Sequence, residues 1–361
     1  MRKKVVLVLI VILIFQLSVT GQSLELKIDS VLNEKYKAHA PGGVFLVSRN
    51  GKTIYNKAFG LSDIELGTPM KTDNVFELGS ITKQFTAISV LMLVDNGKLE
   101  LDDTVSSYVP DYPNGEQITI HHLLTHTSGI KDFTRIKGLT AIAKEELSSE
   151  ELINFFKNEP VDFPPGERYE YCNAGYMLLG YIIEVVSGKE YQDFVAHNIF
   201  ERLGMHNSYY ASHQKIIRNR ASGYSEEGDH YVNNRYISFS IPFSAGALMS
   251  TVDDMLKWQE AVKKYTLLSR RLTKKVFTDH SLNNGKLTGY GYGWHINVLN
   301  GVRSFEHGGS IFGYKSMGVY LPDEDIYVIG LTNCSCNSPT EVSRTIAGIV
   351  QGYFNGTETV H

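Results

Sequence analysis

Ser80 and Lys83 stand three residues apart in the segment Ser80-Ile81-Thr82-Lys83. At that spacing a hydroxyl and an amine share one face of a helical turn. An amine takes a serine proton once burial or a neighbouring cation lowers its pKa. The chemistry on offer is acyl transfer through a serine nucleophile. A helix starting at Ser80 would also favour the negative charge that develops in such a reaction. The same four residues fit a helix cap followed by a solvated lysine, so catalysis needs further parts.

Two other segments supply candidates. Phe163-Pro164-Pro165-Gly166 forces a turn before Tyr169-Glu170-Tyr171-Cys172-Asn173. Tyr171 and Asn173 lie two apart in a short extended piece ahead of a helix, which would aim both side chains into one cleft. A tyrosine near a lysine shuttles protons, because the cation stabilises its phenolate. An asparagine both donates and accepts, which suits holding a substrate amide. The ordinary alternative is a buried tyrosine followed by an N-cap asparagine. His307-Gly308-Gly309-Ser310 ends a strand opened at Val302. Its glycines would let a substrate approach the backbone, and the N–H of Ser310, with that of Ser80, would make an oxyanion hole. A strand closing in a glycine turn is the plainer reading.

His121, His122 and His126 raise the question of zinc, since 122 and 126 are i, i+4. No glutamate follows the first of that pair as H-E-x-x-H requires, and no third ligand is evident. No metal site is expected from these histidines. Cys172 has no evident partner base.

Several elements must position these residues. Leu24, Ile28, Val31 and Leu32 mark one face of a first helix, 24–36. Strands Val44 to Ser48 and Thr53 to Phe59 flank Asn50-Gly51, a hairpin turn signal. The run Phe85 to Val94 is apolar nearly all round, so a buried helix follows Ser80 and stops near Asn96-Gly97. From about 100 to 240 the pattern is helical. Ser148 to Glu151 reads as a capping box, Ala174 to Val186 as a helix ended by Gly188, and Thr251 to Asp254 as another helix start. The last quarter returns to strands: Tyr290 to Val298, Val302 to His307, Tyr314 to Leu321 and Ile326 to Thr332. A final helix opens at Ser338-Pro339 with Glu341 completing a box. Strands at both ends and helices between them predict an α+β fold. One antiparallel sheet, built from both chain ends and flanked by helices, would face a mostly helical lobe. The α/β lobe would comprise 22–99 and 245–361, and the helical lobe about 100–244, as one catalytic domain.

Composition narrows the function classes. The chain has 361 residues, 42% of them hydrophobic, and a net charge of -4. No basic stripe with interleaved aromatics points to nucleic acid. Arg2, Lys3 and Lys4 precede the apolar run Val5 to Phe15, which is short for a membrane span. Residues 1–21 therefore read as a signal peptide cleaved before Gln22, or as an uncleaved anchor that tethers an exported, periplasmic protein. The three cysteines, Cys172, Cys334 and Cys336, are an odd number. A bridge between positions two apart would be strained, so free thiols are expected.

Ser80-Ile-Thr-Lys83, Tyr171-Cys-Asn173 and His307-Gly-Gly occur together and in order. With them the chain resembles the serine hydrolase family that contains class C β-lactamases, D-Ala-D-Ala carboxypeptidases of the same fold, D-aminopeptidases and related esterases. The segments Leu123 to Ile130, Phe163 to Gly166, Leu203-Gly204-Met205, Ser244 to Thr251 with Asp254-Met255, and Tyr292-Gly293-Trp294 match as well. The resemblance runs from about residue 25 to 355. It implies a β-lactamase/transpeptidase-like fold with no appended domain and no cofactor. It implies Ser80 as the acylated nucleophile, Lys83 and Tyr171 sharing proton transfer, Asn173 against the substrate amide, and the Ser80 and Ser310 N–H groups around the oxyanion. One departure stands out. The β-lactamases of this family carry Lys-Thr-Gly where this chain has His307-Gly308-Gly309, and histidine is charged only part of the time near neutral pH. Carboxylate recognition is then weaker unless another donor substitutes. The expected function is an exported serine hydrolase acting on a small-molecule or peptide amide or ester. Penicillin-binding, D-Ala-D-Ala peptidase-like, D-aminopeptidase and esterase activities all fit, with weak β-lactamase activity. The alternative is a catalytically silent sensor of peptidoglycan or β-lactams.

Overall fold

Alternating apolar residues from both ends of the chain build one sheet. The computed structural model describes residues 24–356. Its principal sheet comprises β1 (Gly43–Arg49), β2 (Lys52–Phe59), β3 (His295–Leu299), β4 (Val302–Ile311), β5 (Tyr314–Leu321) and β6 (Ile326–Thr332). All neighbours pair antiparallel, in the order β3-β4-β5-β6-β1-β2. The chain ends meet where Gly43 faces Thr332 and Arg49 faces Ile326. Asn50-Gly51 and Asn300-Gly301 close hairpins with positive φ at both residues, the geometry that matches strand twist.

The central strands β1, β5 and β6 are buried on both faces, with side chains alternating between two cores. Phe45 and Val47 join Leu24, Ile28 and Leu32 of α1 (24–35) and Ile346 and Val350 of α5 (Thr340–Asn355). Val44 and Leu46 turn to the opposite core, which holds α2 (Thr82–Asp95) and α4 (Val252–Lys263). Every residue of α2 from Thr82 to Leu93 is buried, and α3 (Asn173–Ser187) packs against it. Phe85 of α2 stacks on Trp258 of α4 at 4.0 Å between ring centres, and the Trp258 indole N–H donates to Gln84. The predicted caps form at Ser148/Glu151, at Thr251 and at Gly188, which is left-handed. Among the described residues no helix is long and apolar enough to cross a membrane; the predicted signal peptide lies outside them.

Four expectations need correction. Gly308 and Gly309 do not form a turn, because β4 runs through them to Ile311. A Cβ on Gly309 would meet the Leu78 carbonyl oxygen at 1.9 Å, so the glycine lets the strand close on the segment that carries Ser80. Residues Tyr290 to Trp294 are not strand. Gly293, at φ 87, presses on α2, where a Cβ would meet Gln84 Cα at 2.9 Å. The predicted box with Glu341 does not form at the last helix, whose cap residue is Pro339; Ser338 Oγ donates to Thr340 Oγ1 and accepts from the Thr340 N–H at 3.4 Å. Finally, Cys334 and Cys336 are disulfide-bonded. A turn at Ser335 sets their Cα atoms 5.1 Å apart, within the ordinary range for a bridge. Cys172 alone is free, buried with its thiol donating to the Ile130 carbonyl.

Candidate active site

A single helical turn, Gly79–Ile81, presents Ser80 at the entry to α2, and Lys83 is the second residue of that helix. The spacing does what the sequence suggests. Lys83 Nζ donates to Ser80 Oγ at 3.1 Å, Asn173 Oδ1 at 2.8 Å and the Ala245 carbonyl at 2.9 Å. Three acceptors use all three ammonium hydrogens. Lys83 is fully buried, and burial lowers its pKa to about 7 against the opposing pull of the Asp132 carboxylate. Near neutral pH much of it is therefore a free amine. In that form two N–H bonds remain with Asn173 and Ala245, and the lone pair faces Ser80 Oγ.

Tyr171 closes the other side. Its ring centre is 4.8 Å from Lys83 Nζ. Its buried hydroxyl has Ser80 as polar neighbour, without the geometry of a formed hydrogen bond. Such contacts tighten when substrate binds. Burial raises the Tyr171 pKa well above the ordinary phenol range, with Ser80 pulling it down, so Tyr171 is a neutral phenol at pH 7. Cys172, between the two candidates, has its thiol pushed up to about 12 by burial, which leaves it inert as a nucleophile.

Asn173 is not an N-cap; it is the first residue of α3, after Cys172. Its amide is oriented by Asp132, a residue the sequence analysis did not single out. Asp132 accepts from the Asn173 backbone N–H and, at 3.0 Å, from Nδ2, which turns Oδ1 to Lys83. A lone aspartate has no partner spacing to flag it; only the packing of its loop against the start of α3 reveals the role. Because Asp132 raises the Lys83 pKa, Asp132→Asn should move the Lys83 titration to lower pH. The pH dependence of serine labelling reads this directly: the acid limb is expected to shift to the acid side, and an unmoved limb would contradict the coupling.

Beyond Glu306, β4 leaves its neighbour β3 and meets the Ser80 turn instead. A Cβ on Gly79, whose φ is 56, would lie 2.8 Å from Ser310 N. Gly79, the residue before Ser80, thus lies directly against the Ser310 backbone. Gly308 faces the other way, where a Cβ would make ordinary contact with Met317 Sδ at 3.5 Å. His307 differs from expectation. It is buried, its Nδ1–H donates to the Gly308 carbonyl at 2.6 Å, and its Nε2 accepts from Tyr290 Oη at 3.1 Å. Burial, His295 and Lys83 all push its pKa well below the ordinary value, so it is neutral rather than partly charged at pH 7. No cation replaces the lysine of a Lys-Thr-Gly strand at this position.

A model of the Beta-lactamase family matches residues 28–350. This chain is a member of the β-lactamase family. Membership makes it a serine hydrolase with a β-lactamase/transpeptidase fold. It is 29% identical over 310 residues to penicillin-binding protein 4* of Bacillus subtilis, covering 82% of this chain and 68% of that one. The octameric penicillin-binding protein homologue from Pyrococcus abyssi superposes with a TM-score of 0.78 at 30% identity, over 92% of this chain and 77% of that one. D-amino acid amidase from Ochrobactrum anthropi SV3, complexed with L-phenylalanine amide, superposes with a TM-score of 0.79 at 23% identity, covering 92% and 99%; that likeness concerns the fold.

In this family member the three histidines raised for zinc are dispersed. His121 Nδ1 bonds the Tyr292 hydroxyl at 2.8 Å, His122 completes a helix cap with Thr119, and His126 is enclosed beside Tyr171. A cavity of about 1010 Å³ lies elsewhere, bounded by Glu184, Tyr210 and Phe243, and none of Ser80, Lys83, Tyr171 or Asn173 lines it.

Proposed function

We propose that the chain is an exported amide and ester hydrolase that works through an acyl-enzyme on Ser80. The observation that carries this reading is the buried Lys83 amine. Its pKa lies near 7 and its Nζ is 3.1 Å from Ser80 Oγ. Neutral Lys83 takes the Ser80 proton as Oγ attacks the substrate carbonyl. The Ser80 and Ser310 N–H groups receive the oxyanion. Tyr171, still protonated, passes a proton to the leaving group and is replenished through Lys83. Water then repeats the sequence in reverse to release the acyl group. The pair shares its protons, so the profile reports Lys83 and Tyr171 together.

The substrate class follows from β4. With His307 neutral and Gly308 bare, these two positions offer neither the cation nor the hydroxyl that recognise a carboxylate beside the scissile bond, and the cation on the neighbouring strand, Lys315 Nζ, is bound to Ser310 Oγ at 2.7 Å. Uncharged leaving groups, as in amino acid amides and short esters, are favoured over penicillins and D-Ala-D-Ala peptides. The penicillin-binding relatives support amide chemistry. Residues 1–21 support export to the periplasm.

A substrate panel tests the reading. A nitrophenyl ester and a D-amino acid amide should turn over with kcat/KM about 100-fold above that for a chromogenic cephalosporin or a D-Ala-D-Ala peptide, the value of losing a charge-assisted contact. A protein that β-lactams acylate permanently, without turnover of any panel member, would be a sensor instead.

A further inference from the structure

His126 has no place in the chemistry above, yet it is among the most constrained residues near it. It is buried to 1% exposure and holds a left-handed backbone at φ 58, an uncommon conformation for a residue other than glycine. That conformation lets one residue receive two amides of the neighbouring segment. The His126 carbonyl accepts from Glu170 N–H at 2.9 Å, and its ring Nδ1 accepts from Cys172 N–H at 3.0 Å. These are the N–H groups of the two residues on either side of Tyr171. One residue further, Asp132 receives the Asn173 N–H. The ring also packs on the residue it brackets, with centres 4.3 Å apart for Tyr171, and touches Tyr290 and Tyr176 at 4.8 and 4.9 Å. With Nδ1 accepting, the ring proton sits on Nε2, which has no partner.

We propose that His126 is a positioning residue for catalysis, holding Tyr171 and Asn173 at Ser80 and Lys83 through its carbonyl oxygen and its Nδ1 lone pair. The extended piece 169–172 is not part of any strand. Its placement thus depends on the His126 carbonyl and on two side-chain acceptors rather than a ladder. Loss of the Nδ1 acceptor leaves the Cys172 N–H buried and unpaired, and the segment relaxes by rotating that peptide. Tyr171 moves with it.

This inference rests on the hydrolase reading, and the experiment separates the two. Wild type, His126→Phe, His126→Asn and His126→Gln are assayed with the nitrophenyl ester and with a fluorophosphonate probe. Phenylalanine keeps a ring but offers no acceptor. Asparagine places Oδ1 where Nδ1 stands and tolerates the left-handed backbone; glutamine carries its acceptor one carbon too far. His126→Phe and His126→Gln should lose about 100-fold in kcat with KM changed by less than about 3-fold, and His126→Asn should recover to within about 5-fold of wild type. His126→Phe at wild-type kcat overturns the proposal, as does His126→Asn no better than His126→Gln. The second comparison decides the matter if the phenylalanine variant does not fold. A wild type that turns over no ester and takes no probe would instead remove the hydrolase reading beneath it.

Discussion

Ser80→Ala is expected to lower ester and amide turnover by about 10,000-fold or more, the scale on which removal of a serine nucleophile acts. The change should barely touch stability. Ser80 is partly exposed, and its hydroxyl is held by Lys83, which keeps Asn173 and the Ala245 carbonyl as partners when the serine is gone. A fluorophosphonate probe should label wild type and leave the alanine variant unlabelled at unchanged melting temperature. Labelling that survives would place the nucleophile elsewhere. Lys83→Arg should be nearly as severe, because a guanidinium stays protonated and has no lone pair for the Ser80 proton. In wild type the rate should rise with pH through about 7, as Lys83 loses its proton and becomes able to act as base. A rate that instead fell through that range would assign the acid role to Lys83.

Gly309→Ala should remove about 100- to 1,000-fold of kcat, the contribution of an oxyanion donor. The added methyl would stand 1.9 Å from the Leu78 carbonyl oxygen and 2.3 Å from Ser316 Oγ, which itself donates to that carbonyl. Backbone is on one side and a committed hydroxyl on the other, so β4 must retreat from the turn that carries Ser80. The Ser310 amide retreats with it, and overpacking costs about 1–3 kcal/mol of stability. Gly308→Ala is the control. Its methyl would meet Met317 Sδ and the Ser316 carbonyl at 3.5 Å each, ordinary contact. Measured side by side for kcat and thermal unfolding, adjacent glycines should differ by two orders of magnitude. Equal behaviour would mean that the strand can move without disturbing the chemistry.

The contrast between these glycines shows where sequence reading ran out. His307-Gly-Gly was recognisable, but as the end of a strand. Nothing in a run of residues says that Leu78 will lie against Gly309. In the same way Tyr290 to Trp294 carries strand-like residues, yet it is turned aside by its contact with α2. The cysteines were misjudged because two residues in extended chain do not bring sulfurs together, whereas a turn at Ser335 does. Asp132 escaped notice, and His126 was considered only as a zinc ligand, for a related reason. Each acts on Tyr171–Asn173 across about forty positions of sequence, through contacts with no local periodicity.

Local order was another matter. Hairpins at Asn50-Gly51 and Asn300-Gly301, the caps at Ser148 and Thr251, the buried Ser80 helix and the sheet closed from both ends all follow from period and turn chemistry. Those signals are short-range, and the chain carries them in full. Spacing alone left Ser80 and Lys83 readable as a capped helix start and Tyr171 and Asn173 as a buried pair; it was the three segments in order, and the family they resemble, that singled the four residues out. What only the tertiary structure decided is their charge. The Lys83 amine, the Tyr171 phenol and the His307 ring owe their protonation to being buried among one another. Desolvation is a property of everything packed around a group, and no neighbour in sequence supplies it.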